Sequence, residues 1–388
     1  MTSLNLVPAG YEDFRRLACK RLPRQLFDYI DGGAYAETTL GANSRAFEKR
    51  YLKQRVLRDV SCVETETRIL GEDWTMPMAL APIGLAGMMR RRAEAQAVRV
   101  AGNVGIPFTL STVGICPLEE VASAAQRPFW FQLYMMRDRG AVKALLARAR
   151  AAGCDTLVFT VDLAVVGARY RDIRNGMGGG VRLSDRLRAG LEFPLHWHWL
   201  WDVAIGGKPL TFGNLSELVP NARSLSDFKA WVDAQFDPTC TWADIDWLRA
   251  HWDGKLVIKG VMTLEDGLAA SACGADGIVI SNHGGRQLDG VRASIDVCAE
   301  IADTLKAQKP DLAVLMDGGV RSGLDVIRAL ALGADGVLVG RPWIYALAAG
   351  GQAGLAAWLA QLKAEMQVAM ALTGITKIKH IDRKILDE

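Results

Sequence analysis

Short runs of consecutive apolar residues recur along this chain, and segments with helical spacing of apolar positions separate them, as in residues 140–152 and 322–332. Apolar strands that alternate with amphipathic helices are typical of a parallel sheet covered on both faces. The predicted strands are residues 78–81, 107–110, 129–133, 156–160, 256–258, 278–280, 313–316 and 336–339. Eight such units in about 260 residues predict an α/β fold, a closed (β/α)8 TIM barrel, with a doubly wound open sheet as the alternative.

Each predicted strand is followed by residues with polar or ionisable side chains, or by glycine or proline. In chain order they are Pro82, Ser111, Gln132 with Tyr134, Thr160 with Asp162, Lys259, His283, Asp317 with Gly318 and Gly319, and Gly340 with Arg341. A barrel carries its active site at the carboxyl ends of its strands. We therefore expect these side chains to meet at one rim.

The segment from Ser281 to Gln287 is the most informative of these. It places His283, two glycines and Arg286 directly after the sixth strand. An imidazole can move a proton near neutral pH, and a guanidinium can hold a carboxylate with two hydrogen bonds. The glycines let the backbone pass close to a flat or charged group. This pattern predicts proton transfer on a small carboxylic acid.

The last two strands are followed by a different pattern. Asp317 to Gly323 lead into a predicted helix and include Arg321, and Gly340 with Arg341 follows the eighth strand. Glycine amides, a helix amino terminus and arginines form phosphate sites at this position of a barrel. We therefore expect a phosphorylated cofactor.

Composition narrows the possible partners. Half of the 388 residues are hydrophobic and the net charge is +3, without a dense basic block, so nucleic acid is not expected. The seven cysteines are odd in number and form no C-x-x-C pair, which fits a reducing compartment. His196 and His198 have no third ligand nearby in the sequence, so no metal site is predicted.

Two features bear on membranes. Charged residues begin at Glu12, so no apolar signal-peptide core is evident. Residues 343–362 carry no charge and are about as long as a bilayer span, but they contain three glycines and two glutamines and predict the last barrel helix instead. We expect a cytoplasmic protein, or one attached peripherally to the inner membrane from the cytoplasmic side.

Several motifs together resemble the family of FMN-dependent L-2-hydroxy acid oxidases and dehydrogenases, over residues 11–371. They lie at residues 27–34, 81–84, 132–134, 281–287 and 317–321. The membrane-associated respiratory L-lactate dehydrogenase branch is the most similar, through residues 31–35, 109–113 and 167–172. The resemblance implies FMN as cofactor and a single barrel domain over residues 1–388.

The resemblance also implies roles for individual residues. His283 is the expected base, taking either the α-proton or the hydroxyl proton, and Asp162 stabilises its protonated form. The expected substrate ligands are Tyr29, Tyr134, Arg169 and Arg286. The expected FMN ligands are Pro82, Ile83, Gly84, Ser111, Gln132, Thr160, Lys259, Ser281, Asp317, Gly318, Gly319, Arg321, Gly340 and Arg341.

Residues 175–253 interrupt the pattern of short units between the fourth and fifth strands. Seven of the eleven tryptophans lie there. Its first half mixes Arg182, Arg186 and Arg188 with aromatic residues, a mixture that can seat a surface on anionic lipid. We expect peripheral membrane contact through residues 178–201, with a soluble lid over the barrel mouth as the alternative.

The reaction expected from the resemblance is oxidation of L-lactate, with electrons passed to a quinone or another membrane acceptor, by a homo-oligomer. One alternative is an oxidase that uses oxygen on lactate, glycolate or mandelate. Val113 stands where glycolate-oxidase relatives carry tryptophan, which leaves larger substrates open. Another alternative is a flavin-free lyase or aldolase that uses Lys259 as a Schiff base.

Overall fold

The apolar runs form eight parallel strands of one sheet in the computed structural model, which describes residues 7–176, 190, 192–218, 231 and 234–387. The strands are Met78–Leu80, Thr109–Ser111, Trp130–Leu133, Thr156–Thr160, Lys255–Val261, Gly277–Ile280, Ala313–Met316 and Gly336–Val339. They are called the first to eighth barrel strands below. Each predicted strand is confirmed, with the second shifted toward its carboxyl end.

The sheet closes on itself. The eighth strand pairs in parallel with the first, and a parallel bridge between Leu80 and Phe108 joins the first strand to the second. Backbone N–H of Leu80 donates to the carbonyl of Pro107 at 2.9 Å. The fold is therefore the (β/α)8 barrel, and the open-sheet alternative is wrong.

Strand residues alternate between two apolar cores, because successive side chains of a strand point to opposite faces. Val158, Val257 and Val279 pack inside the barrel, whereas Leu157 and Phe159 pack outward against the helices. This two-sided burial explains why the strands read as continuous apolar runs.

A hairpin closes the amino-terminal end of the barrel. Strands Thr67–Ile69 and Glu72–Trp74 pair antiparallel, and Trp74 packs on Trp130 with ring centroids 5.6 Å apart. A separate short pair joins Tyr51–Leu52 to Leu386–Asp387. With one end plugged, the carboxyl end of the barrel is left for the site.

Helices surround the barrel and precede it. In the described residues the α-helices longer than one turn are Tyr11–Arg21, Arg24–Asp31, Thr38–Glu48, Ala93–Val104, Leu118–Ala124, Arg139–Ala151, Tyr170–Arg174, Ala243–Arg249, Leu264–Ala272, Ser294–Gln308, Gly323–Ala331 and Arg341–Thr373. The helix Gly323–Ala331 begins with a capping box between Ser322 and Asp325, which satisfies its first backbone donors.

Residues 343–362 belong to the helix Arg341–Thr373, as predicted. The helix bends at Gly351, whose φ of 63° and ψ of −150° are not helical, and its buried side packs on the helices Tyr11–Arg21 and Ala93–Val104. In the part of the chain that the structure describes, none of the helices combines the length and apolarity that crossing a bilayer requires.

The connection from Thr160 to Lys255 spans the residues in which we expect the insertion, and Arg182, Arg186 and Arg188 lie outside the described residues. Its tryptophans divide into two groups. Trp199 is buried and donates its indole N–H to the carbonyl of Met88 at 2.7 Å. Trp197 and Trp201, in the same short helical stretch, are 57% and 66% exposed.

Candidate active site

A cavity of about 340 Å³ opens at the carboxyl ends of the strands. Most of the predicted site residues line it: Tyr29, Pro82, Ile83, Gly84, Tyr134, Thr160, Arg169, Lys259, His283, Arg286, Asp317, Gly318, Gly319, Arg321, Gly340 and Arg341. The four others, Ser111, Gln132, Asp162 and Ser281, lie behind these residues and contact them or each other. The predicted residues therefore lie together at the carboxyl ends of the barrel strands.

His283 is held in an unusual backbone conformation at this rim. Its φ of 57° lies in the left-handed region, which is costly for a residue with a side chain. Its Nδ1 lies 2.7 Å from Oδ1 of Asp162, which leaves Nε2 for another partner. Burial lowers the pKa of His283 below its ordinary value, although Asp162 opposes this shift. The imidazole is therefore neutral at pH 7 and able to accept a proton.

Asp162 approaches His283 through a gap that a glycine leaves open. Burial raises the pKa of Asp162, but the interactions with His283 and Lys259 together outweigh burial and lower this pKa, so the carboxylate is ionised. The fifth strand has a register shift between Lys259 and Val261, and Gly260 there has a φ of 115°. A Cβ at Gly260 would lie 2.8 Å from the Cβ of Asp162, so glycine is required for this approach.

Two arginines bring positive charge to the cavity. Burial, and then repulsion from Arg169, lowers the pKa of Arg286 to about 9. Arg286 donates to the carbonyls of Tyr29 and Gly32, at 2.6 and 2.9 Å, and its guanidinium lies 5.1 Å from the centre of the Tyr29 ring. A bound carboxylate would relieve this repulsion, and two guanidiniums can hold it in one orientation.

Two phenols face the same space. The hydroxyl of Tyr29 donates to the carbonyl of Gly84 at 3.4 Å, a long bond that is readily exchanged. The ring of Tyr134 packs edge-on against Phe236, with centroids 5.2 Å apart. Burial, and then Asp162, raises the pKa of Tyr134, so its hydroxyl stays protonated and can donate a hydrogen bond.

Lys259 forms a buried ion pair. Its Nζ lies 3.0 Å from Oδ2 of Asp317 and donates to Oγ of Ser281 at 2.9 Å. Burial opposes its charge, but Asp317 and Asp162 outweigh this and raise the pKa of Lys259. A Schiff-base lysine needs a neutral amine, so the charged state of Lys259 argues against the lyase or aldolase alternative.

The buried polar atoms of this rim fit FMN. Within the described residues, Nε2 of Gln132, Oγ1 of Thr160 and Oδ1 of Asp317 have no hydrogen-bond partner. A buried polar group without a partner costs about 1–3 kcal/mol, so each of the three is poised for a ligand. Oε1 of Gln132 accepts from Oγ of Ser111 at 3.1 Å, which directs the amide donor elsewhere. An isoalloxazine edge and ribityl hydroxyls offer matching donors and acceptors.

The residues expected to hold the phosphate follow the neighbouring seventh and eighth strands and line the cavity. Guanidinium hydrogen bonds of Arg321 and Arg341 go to backbone carbonyls, and burial lowers the pKa of Arg341. Gly318 and Gly319 have φ of 89° and 94°, and a Cβ at Gly319 would lie 2.3 Å from the carbonyl oxygen of Asn43. Positive charge beside glycine backbone suits a phosphate dianion.

Several apolar residues that line the cavity could not be identified from local sequence patterns. Phe212 and Phe236 come from the connection between the fourth and fifth strands, where no periodic pattern marked them. Leu163 and Ile173 flank Arg169 along the chain. The position of Phe236 beside Tyr134 depends on a bridge to Met136, a contact between distant segments that local patterns do not encode.

The sequence comparisons agree with this site. Residues 18–388 match the family model described as FMN-dependent dehydrogenase. An L-lactate dehydrogenase of Caulobacter sp. (strain K31) is 53% identical, over 98% of this chain and 99% of that protein. An L-lactate dehydrogenase of Acinetobacter baumannii (strain AYE) is 51% identical, over 98% of each.

Solved structures agree as well. The monotopic membrane protein (S)-mandelate dehydrogenase superposes with a TM-score of 0.91 at 34% identity, over 98% of this chain and 99% of that one. A mandelate oxidase superposes with a TM-score of 0.81 at 36% identity, over 98% of each. The family model, the relatives at about half identity and the shared fold lead to one conclusion. The chain belongs to the FMN-dependent dehydrogenase family.

Proposed function

We propose that this enzyme oxidises an L-2-hydroxy acid to the 2-oxo acid, and that its substrate is L-lactate. The observation that carries the proposal is that His283, paired with Asp162 at 2.7 Å, lines the same cavity as Arg169 and Arg286. A neutral base and an anion clamp are what removal of a proton from a bound hydroxy acid requires. Relatives that are 51–53% identical and named L-lactate dehydrogenase support lactate.

We assign the following roles to the residues at the cavity. Arg169, Arg286 and Tyr29 hold the substrate carboxylate, and Tyr134 donates to the oxygen that becomes the ketone. His283 takes a proton at Nε2, and Asp162 stabilises the imidazolium that results. When bound, FMN would supply the oxidant, taking up the two electrons and the second proton that leave the substrate.

The remaining predicted residues serve the cofactor in one FMN-binding domain over residues 1–388. Lys259 would supply positive charge beside the flavin, and Pro82, Ile83 and Gly84 would pack against its ring. The hydrogen-bonding ligands of FMN are Ser111, Gln132, Thr160, Ser281, Asp317, Gly318, Gly319, Arg321, Gly340 and Arg341. The three unpartnered atoms of Gln132, Thr160 and Asp317 support this assignment.

Loss of the base tests the reaction. His283→Ala should retain FMN but lose its reduction by L-lactate in an anaerobic stopped-flow experiment. His251→Ala is the matched control, because His251 is a surface histidine that contacts the carbonyl of Trp247. Fast flavin bleaching by the His283 variant would overturn the role of His283.

Kinetics test the substrate. We expect kcat/KM to be highest for L-lactate among L-lactate, glycolate and (S)-mandelate. Phe212, Phe236 and Val113 line the same cavity as Arg169 and Arg286, and their size limits the size of the substrate side chain. A preference for mandelate would overturn the lactate assignment while leaving the reaction type intact.

We further propose that the enzyme works as a homo-oligomer attached to the cytoplasmic face of the inner membrane and passes its electrons to a quinone. Residues 178–201 of the insertion 175–253 make the contact, and of these only 190 and 192–201 are described. Leu195, Trp197 and Trp201 are 77%, 57% and 66% exposed, which favours an apolar partner over a closed lid. The similarity to a monotopic membrane protein is a second support.

Two experiments test the membrane contact and the electron acceptor. Replacing Leu195, Trp197 and Trp201 with serine should release the enzyme from membranes in fractionation while dye-linked activity survives. Val368 and Leu372, exposed on the last helix, give the matched serine control. Rapid peroxide formation with lactate in air, without quinone reduction, would favour the oxygen-using alternative instead.

A further inference from the structure

Asp31 is a buried carboxylate at the junction of three segments. It ends the helix Arg24–Asp31 and is 5% exposed. Arg15 donates to both of its oxygens, at 2.6 and 2.9 Å, and the hydroxyl of Tyr345 donates at 2.7 Å. Arg171 donates from Nη1 to Oδ2 at 2.7 Å. The carboxylate therefore has partners from the first helix, from the helix Arg341–Thr373 and from the short helix Tyr170–Arg174.

Arg171 joins two segments with one guanidinium. Besides the bond to Asp31, its Nη2 donates to Oε2 of Glu37. Glu37 in turn accepts from the backbone N–H of Gly33 at 3.0 Å. The partners of Arg171 lie 140 and 134 residues away in the sequence. A planar guanidinium can reach two carboxylates at once, which a lysine ammonium does less well.

The segments that Arg171 joins carry two of the proposed substrate ligands. Arg169 precedes Arg171 by two residues, and Tyr29 precedes Asp31 by two residues. The side chain of Arg169 has long contacts of its own, at 3.4 Å to the carbonyl of Arg286, 3.4 Å to Oε1 of Gln287 and 3.9 Å to Asp172. Charge-assisted hydrogen bonds of normal length are stronger than these contacts.

The helix that carries Arg171 needs such an anchor. It spans Tyr170–Arg174, and none of its five residues is buried. Burial of apolar surface therefore contributes little to its position, and its ring contact with the amino-terminal segment is edge-on, between Tyr170 and Tyr35 with centroids 5.8 Å apart. The ion pairs of Arg171, with the hydrogen bond from Tyr35 N–H to the carbonyl of Ala168 at 2.7 Å, hold it against the amino-terminal segment.

We propose that Arg171 is a positioning residue that sets the separation of Arg169 and Tyr29, and so the fit of the substrate carboxylate between them. Arg171 does not line the cavity and acts through Arg169. The inference rests on the proposed function, because the carboxylate clamp is defined by the hydroxy-acid substrate.

The test is a double-mutant cycle on the FMN-loaded enzyme with L-lactate and an artificial dye. Arg171→Gln should raise KM at least tenfold, with a smaller fall in kcat and unchanged FMN content. Arg15→Gln is the matched control, because it removes two hydrogen bonds from the same carboxylate without touching the helix Tyr170–Arg174. It should lower the thermal midpoint at least as much as Arg171→Gln and leave KM within about twofold.

The cycle is completed with Arg169→Lys. If Arg171 acts through Arg169, the Arg171→Gln change should alter KM less than twofold in that background. A wild-type KM for Arg171→Gln, an equal rise in KM for Arg15→Gln, or full additivity with Arg169→Lys would each overturn the inference. Failure of the wild-type enzyme to oxidise any 2-hydroxy acid would instead overturn the proposed function.

Discussion

Replacing Asp162 with asparagine should slow flavin reduction while leaving the shape of the site in place. The carboxylate contacts Nδ1 of His283 at 2.7 Å, and the asparagine side chain occupies the same volume without the charge. Because His283 gains a proton in the proposed reaction, the neighbouring negative charge is worth more after proton transfer than before it. The substitution should therefore raise the activation free energy of flavin reduction and leave substrate binding largely unchanged.

The size of the effect follows from two estimates. Two unit charges about 4 Å apart at an effective dielectric constant of about 20 interact by about 4 kcal/mol. A hydrogen bond to a charged group contributes about 1.5–3 kcal/mol to stability. Taking about 2–4 kcal/mol as the loss of imidazolium stabilisation, we expect flavin reduction to slow by about 30-fold to about 1,000-fold.

The assay is anaerobic stopped-flow reduction of bound FMN at saturating L-lactate. Asp335→Asn is the matched control, because Asp335 is an ion-paired carboxylate, with Lys306, at the other end of the barrel. A rate for Asp162→Asn within threefold of wild type would refute the reasoning. So would a similar loss in Asp335→Asn, since that would assign the effect to stability.

The same variant has a pH signature. Burial lowers the pKa of His283 below 6.5, so the neutral base persists, and wild-type kcat/KM should fall only below about pH 6.5. Asp162 raises this pKa against the effect of burial, so its removal lowers the pKa further. The acid limb of the kcat/KM profile should therefore move to lower pH in Asp162→Asn. Movement to higher pH would contradict the electrostatic role.

The surroundings of Gly260, Lys259 and Asp31 lead to three further predictions. Gly260→Ala should slow flavin reduction at least tenfold because its Cβ would lie 2.8 Å from that of Asp162, and unchanged kinetics would show that the close approach is not needed. Lys259→Met should make the FMN midpoint potential more negative in spectroelectrochemistry because it removes a buried positive charge, and a constant potential would contradict that role. Burial opposes ionisation of Asp31, but hydrogen bonds from its partners lower its pKa from 3.8 to about 2. Its ionised form therefore contributes about 2 kcal/mol of folding free energy above about pH 4, which is lost toward pH 2, and Asp31→Asn should flatten that part of the urea-unfolding profile.

The barrel and the chemical character of its rim were readable from the sequence. Each strand is buried on both faces, so its apolar run is visible without knowledge of its partners. His283 and Arg286 directly follow the sixth strand, and they could be assigned to the site because barrel active sites lie at the carboxyl ends of the strands. The segment 343–362 was likewise assignable to a helix, because its glycines and glutamines are local features.

Contacts between distant segments were decided only by the tertiary structure. The partner of His283 lies 121 residues away, and the sequence suggested it through family resemblance and not through any local pattern. Nothing in the spacing of Trp197, Trp199 and Trp201 distinguishes the buried indole from the two exposed ones. The link from Arg171 to Asp31 was also invisible, because an arginine and an aspartate 140 residues apart read as ordinary surface charges. Local sequence determines which segments become strands and helices, whereas barrel closure determines which of their side chains meet.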